Sequence, residues 1–484
     1  MRVLEQLEPN KVFHYFEDIC SIPHPSYKEK KISDYLVNFA KEHGLEHYQD
    51  DLYNVVMIAP ATAGYENEEP IIIQGHMDMV CEKEPGVEID FENDGLKLMI
   101  DGDYVTAQGT TLGGDDGIAV AYALAILDSP EIAHPRLEVV ITVSEEVGME
   151  GASGIDMSML RGHKLLNIDS EVEGVMTVSC AGGNSSICHL PVGYEQADGI
   201  AVNVAVKGLK GGHSGVEIDK GRANANLVAG RLLLALERKG ITFGIAALAG
   251  GAKQNAIPRE SAVCLVCAAE MKDALLACLH ETMEHLQHEY AVTDPDLHME
   301  LTEKTVAGVS VLTQESARAV SLLVNNLPGG IQSMSANITG LVETSLNMGI
   351  MELNEKELHL EFAVRSSVIS ARDTLTERIK QMVEYVGGSV DVIGVYPAWE
   401  YKQDSVMRED AVRIYEKMYG KEPTVEAIHA GLECGILAGK IKDLDGISIG
   451  PDMIGIHTFE DKLSIASTQR VYEYIIELLK CKHK

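Results

Sequence analysis

Apolar and polar positions follow two different rhythms along the chain. From residue 15 to 185, apolar runs of strand length alternate with longer stretches whose apolar residues recur at helical spacing. The spacing predicts helices at 28–43 and 116–127, and strands near 53–58, 70–75, 137–144 and 164–168. This is the pattern of an α/β domain with a largely parallel sheet and flanking helices. Around residue 187 the texture changes: strand-like AVNVAVKG, helix-like ANANLVAGRLLLALERKG, strand-like SAVCLVCAA and helix-like DALLACLHETMEHLQHEY follow one another, and similar elements recur at 315–326, 358–365 and 373–386. After YPAWEY, the helical EDAVRIYEKMYG and strand-like DGISIGP resume the first texture. The chain is therefore predicted to be an α/β domain, 1–186 and 397–484, interrupted by an inserted α+β domain at 187–396.

Length agrees with two units, since 484 residues exceed what one hydrophobic core usually supports. Forty basic against 74 acidic residues give a net charge of −34, which disfavours nucleic acid and anionic membrane as partners. No stretch approaches the roughly 20 apolar residues needed to span a bilayer. The opening MRVLEQLEPNKVFHYFEDIC is amphipathic and broken by charges, unlike a signal peptide. Nine cysteines scattered from Cys20 to Cys481 do not form a disulfide framework, and a cytoplasmic location is expected. Cys264 and Cys267 form a C-x-x-C inside a strand-like run with no second pair near in sequence, so they read as core residues.

Chemistry gathers where the predicted strands end. IIIQGHMDMV runs from a buried strand into His76 and Asp78, and in open parallel sheets ligands bind beyond the carboxyl ends of the strands. TTLGGDDGIAVA carries Asp115 and Asp116 in a glycine-rich turn before a helix, VITVSEEVG ends its strand in Glu145 and Glu146, NIDSE ends in Asp169, and GPDMIGIHT supplies His457. Two imidazoles and several carboxylates on one sheet edge suit a dinuclear metal site. Zinc takes both donor types, a carboxylate must bridge the pair, and one further carboxylate must stay off the metals to carry a proton. Adjacent glutamates point different ways, so Glu145 and Glu146 fit that division. HETMEH resembles a zincin helix, but its histidines are five apart rather than four, and His280, His285 and His288 read as solvent-facing.

GHMDMV, TTLGGDDGIAVA, SEEVGMEGA, NIDSE, KGLKGGHSG and IGPDMIGIHT, in this order, resemble the co-catalytic zinc aminoacylase and dipeptidase family that includes carboxypeptidase G. Within it, the cytosolic aminoacyl-histidine dipeptidases are the most similar. The resemblance implies two Zn2+ per subunit, with Mn2+ or Co2+ able to substitute. It implies that His76, Asp115 and Asp169 hold one ion and Asp115, Glu146 and His457 the other; position after the Gly-Gly turn favours Asp115 over Asp116 as the bridge. It further implies a cis peptide after the bridge, Asp78 orienting His76, and Glu145 as general base. From the inserted lid domain, it implies His213 on the oxyanion and Asn255 and Arg365 on the substrate, and from HAGLECG, beyond the lid, Gly431 offering backbone atoms to the substrate amine. The expected reaction is hydrolysis of an unblocked Xaa-His dipeptide, β-alanyl-histidine included. A tripeptidase, an N-acyl amino acid deacylase and a non-catalytic metal-dependent binding protein are the alternatives. A lid of this size also leads us to expect a homodimer.

Overall fold

The computed structural model describes residues 2–482. Two compact units divide them: one runs to Ser179 and resumes at Tyr401–Ala427 and from Leu432 onward, while the other comprises Cys180–Glu400 and the short segment Ile428–Gly431. The first changeover falls earlier than residue 187, because the strand Gly182–Pro191 pairs along its whole length with Glu357–Ser366 of the second unit. The return of Ile428–Gly431 is a feature the sequence pattern does not register.

The first unit is built on an eight-stranded sheet. Its centre is parallel, with Leu137–Thr142, Ile71–His76, Lys164–Asn167 and Asp445–Ser448 as successive neighbours. Antiparallel strands Val55–Ala59 and Val175–Cys180 flank this centre. The parallel strands are buried at every position, which is why they read as unbroken apolar runs rather than alternating ones. The helix Gly114–Leu127 is buried nearly throughout, and its sequence GIAVAYALAIL is correspondingly apolar on all sides. Because the four central strands run the same way, the loops after His76, Thr142, Asn167 and Ser448 all emerge at one edge.

The second unit is a nine-stranded antiparallel sheet. Helices Ala225–Arg238, Lys272–Glu289, Gln314–Asn326 and Ile369–Tyr385 cover one face, where Leu232, Leu279, Leu323 and Ile379 pack with Val204, Leu265 and Leu360. The strand Glu357–Ser366 shows the resulting period of two: Leu358, Leu360, Phe362 and Val364 enter the core, while Glu357, His359 and Glu361 stand on the other side. Cys264 and Cys267, three apart on one strand, face opposite sides, and all nine cysteines are free thiols. His280, His285 and His288 are exposed. Among the described residues, no helix is long and apolar enough to cross a membrane.

Candidate metal centre

His76 closes its strand and is fully buried; its Nε2 lies 3.1 Å from Asp115 Oδ1 and 3.5 Å from Asp169 Oδ1. His457, beyond the last strand of the parallel core and at a φ of 59°, brings its own Nε2 to 3.1 Å from Asp115 Oδ2 and 2.9 Å from Glu146 Oε1. Asp115 thus stands between two imidazoles, one on each carboxylate oxygen. The peptide bond Asp115–Asp116 is cis. Asp116 turns the other way: its Oδ2 accepts the His76 backbone N–H at 3.1 Å. A Cβ on Gly75 would fall 2.4 Å from that same oxygen, so the strand end needs glycine to let Asp116 in.

The two glutamates do not sit at the end of a strand. Their strand stops at Thr142, Ser144 takes a left-handed φ of 54°, and Glu145 and Glu146 open a single helical turn, Glu145–Gly148. Successive helical residues project about 100° apart, so the pair still diverges. Asp78 fixes this turn. Its Oδ1 accepts the Glu145 backbone N–H at 3.0 Å and its Oδ2 accepts that of Glu146 at 3.3 Å, with Ser26 Oγ donating at 2.8 Å. The contact of Asp78 with His76 is less direct than expected: His76 Nδ1 lies 3.0 Å from the Asp78 backbone carbonyl and 3.4 Å from its carboxylate.

The electrostatics follow from burial. Desolvation pushes the carboxyls of Glu145 and Asp169 up, with neighbouring carboxylates adding to it, and Glu171 is pushed up to about 7 for the same reasons. Asp115 goes the other way: burial opposes its charge, but His457 and His76 outweigh it and hold it below the usual carboxylate range. Among the described residues, donor atoms of His76, Asp115 and Glu146, and again of His76, Asp116 and Asp169, lie within 4.8 Å of one another. Imidazole nitrogens and mutually repelling carboxylates at this spacing fit divalent cations, whose charge would relieve the repulsion.

Three supporting residues lie outside the sequence reading. Asp461 Oδ2 accepts the backbone N–H groups of Leu112 and Gly113, at 2.9 and 3.0 Å, and so holds the turn that presents Asp115. Glu433 is fully buried and accepts from Gln74 Nε2 at 2.5 Å and Thr142 Oγ1 at 2.6 Å, while Asn167 Nδ2 donates to Gln74 Oε1 at 2.6 Å. This polar layer lies across the parallel strands, behind the cluster. Its one sequence signal is Gln74, a polar residue in the buried run IIIQGH that must find partners. The third, His429, belongs to the second unit; it is buried, with Nε2 2.7 Å from Ser345 Oγ.

The remaining candidates belong to the second unit. His213 pairs with Ala256 on a two-residue strand, and its Nδ1 accepts the backbone N–H groups of Gly215 and Val216, at 3.1 and 3.2 Å. Those bonds leave the ring proton on Nε2. Burial and the nearby Arg365 lower the pKa of His213, keeping it neutral. Asn255 is exposed and its backbone carbonyl accepts from Ser214. Arg365 donates from Nη1 to Tyr396 Oη at 2.9 Å, and its Nε is buried without a partner. Gly431 ends the returning segment Ile428–Gly431.

Comparison with known proteins agrees with this architecture. The chain is 36% identical to the cytosol non-specific dipeptidase of Escherichia coli K12 over 491 aligned residues, covering 99% of each. The chain belongs to the M20 peptidase family. Residues 204–294 of this M20 peptidase match the peptidase dimerisation domain of that family. The crystal structure of aminoacylhistidine dipeptidase from Vibrio alginolyticus superposes with a TM-score of 0.94 at 35% identity, covering 99% of this chain and 98% of that one. Aminopeptidase PepT from Bacillus cereus shares the fold at a TM-score of 0.56 and 17% identity, over 98% of each chain.

Proposed function

We propose that this M20 peptidase is a cytoplasmic, homodimeric dipeptidase that hydrolyses unblocked Xaa-His dipeptides, β-alanyl-histidine among them, with two zinc ions per subunit. One observation carries the reading: Asp115 has an imidazole on each of its carboxylate oxygens, with further carboxylates, Asp169 and Glu146, beside each imidazole. His76, Asp115 and Asp169 would hold one ion, and Asp115, Glu146 and His457 the other. When bound, such a pair polarises a carbonyl and lowers the pKa of water at the site.

The protein's own groups account for the rest of the reaction. Glu145, outside both ligand sets, takes the proton of the attacking water and passes it to the departing amine. Asp78 holds Glu145 in place through the backbone. His213 donates its Nε2 proton to the oxyanion, and its neutral state suits that donation. Arg365 binds the terminal carboxylate of the substrate, for which a planar fork of donors is suited, and Asn255 and Gly431 contact the remainder of the dipeptide.

The test is hydrolysis of β-alanyl-histidine by purified protein stripped with chelator and then titrated with Zn2+, with Mn2+ and Co2+ in parallel. Histidine release that saturates near two equivalents is the expected result. Two bound ions with no histidine released, together with turnover of tripeptides or N-acyl amino acids, would discard the substrate and keep the site.

A further inference from the structure

A second group of histidine and carboxylate side chains stands on the second unit's sheet, on the face opposite its helices. His189, on the strand Gly182–Pro191, is directly opposite His359 on the strand Glu357–Ser366, and the two rings meet edge to face with centroids 5.3 Å apart. Glu357 lies two residues from His359 on the same side. One Glu357 oxygen, Oε1, faces both rings: it is 3.0 Å from His189 Nδ1 and 4.0 Å from His359 Nδ1. One donor atom from each of the three residues lies within 4.8 Å of the others. A tetrahedral ion with ligands at about 2.0–2.1 Å sets its donor atoms about 3.3 Å apart, a spacing that small side-chain rotations would give here.

The outward nitrogens supply a separate observation. His359 Nε2 lies 2.9 Å from Glu361 Oε1, and His189 Nε2 lies 3.6 Å from Asp391 Oδ2, on the neighbouring strand Ser389–Tyr396. Each ring therefore has its inward nitrogen toward a shared focus and its outward nitrogen toward a carboxylate. That is the arrangement in which metal-binding imidazoles are held, because a carboxylate on the far nitrogen fixes the tautomer and raises ligand basicity. Ordinary ion pairing would need one carboxylate per ring, and here three carboxylates surround two rings. The four pairing side chains His189, Glu357, His359 and Glu361 are between 21% and 30% exposed, so they are part-shielded yet open to solvent ions.

We propose that His189, His359 and Glu357 form a binding site for one divalent transition-metal ion of the zinc class, separate from the catalytic pair. Two imidazoles and a carboxylate match zinc, cobalt, nickel and copper rather than magnesium or calcium. Bound there, the ion ties together the strands Gly182–Pro191 and Glu357–Ser366, and through Asp391 it engages the strand Ser389–Tyr396.

The experiment compares full-length wild type with H189N/H359Q. Both are stripped with chelator, dialysed against micromolar free Zn2+, and assayed for bound zinc by mass spectrometry and for turnover of β-alanyl-histidine. The wild type should hold one equivalent more than the double variant, while turnover stays within twofold. Equal zinc content in the two proteins would overturn the site, whatever the total number bound. Should the double variant misfold by circular dichroism, E357Q replaces it: at least a tenfold weaker affinity for the additional ion is expected, and unchanged affinity refutes the proposal. Co2+ loading supplies an independent readout, as the wild-type minus variant difference spectrum should contain the visible bands of a His-ligated site, and a flat difference spectrum counts against it.

Discussion

Asp78 accepts the backbone N–H of Glu145 at 3.0 Å, so the carboxylate beside one proposed metal ligand also sets the position of the proposed base. Asp78→Ala should therefore reduce both zinc affinity and turnover, by about 10–100-fold, the usual cost of losing a group that orients a metal ligand. Equilibrium dialysis alongside kcat separates the two effects. A variant with wild-type zinc affinity and wild-type kcat would remove Asp78 from both roles.

Glu145 lies outside both proposed ligand sets, and its burial raises its proton affinity. Glu145→Gln keeps the shape and removes the proton acceptor. We expect kcat to fall by at least about 10²–10⁴-fold, the range for a lost general base, while two zinc ions remain bound. Loss of an ion from the variant would instead make Glu145 a ligand.

His213 accepts two backbone N–H groups on Nδ1 and so carries its proton on Nε2. If that proton meets the oxyanion, His213→Ala should lower kcat by about 10²–10³-fold, with KM changing much less. A rise in KM at constant kcat would assign His213 to ground-state binding.

Removing cations should destabilise the first unit, because the carboxyls of Glu145, Asp169 and Glu171 then lie buried beside other carboxylates, where their charge is disfavoured. An ion at 100 times its dissociation constant stabilises the fold by about 2.7 kcal/mol. Calorimetry with and without chelator should show a lower Tm in the stripped protein. An unchanged Tm would mean that the cluster does not bind the ions more tightly when folded.

The pH dependence of the second unit turns on His429. Burial, then the positive charge of Arg365, lowers its pKa to about 4, against about 6.5 in an unfolded chain. Between those values the unfolded chain binds a proton that the folded one refuses, so stability falls as pH drops from about 6.5 to 4 and levels off below. Relative to wild type, His429→Gln should flatten that part of the curve of denaturation midpoint against pH. An identical slope in the variant would show that His429 does not contribute it.

Much of the first unit was legible because its strands are buried on both faces. An apolar run ending in His76 or in Asn167 and Asp169 marks a change from core to edge without further information. Glu145 and Glu146 mislead, since the apolar run predicts a strand over 137–144 that reaches them, while the observed strand stops at Thr142 and the backbone turns at Ser144 into a helical turn. Glu433 was invisible for another reason. In GLECG it reads as an acidic residue in a helix's first turn, and only the fold brings it to Gln74 and Thr142, hundreds of residues away in sequence. Only the family resemblance points to His213 and Arg365, because a histidine in a glycine-rich turn and an arginine on a strand have no periodicity to mark them.

The segment Ile428–Gly431 has a consequence for how this protein can be taken apart. Ala181 donates its N–H to the carbonyls of both Ile428 and Ala430, and His429 meets Ser345, so these four late residues complete the unit that begins at Cys180. A fragment cut at 180 and 400 would lack them, leaving the Ala181 N–H and the Ser345 hydroxyl without their partners. The insertion is therefore not a portable module: grafting it onto another scaffold, or deleting it to make a minimal enzyme, has to move two stretches of gene rather than one.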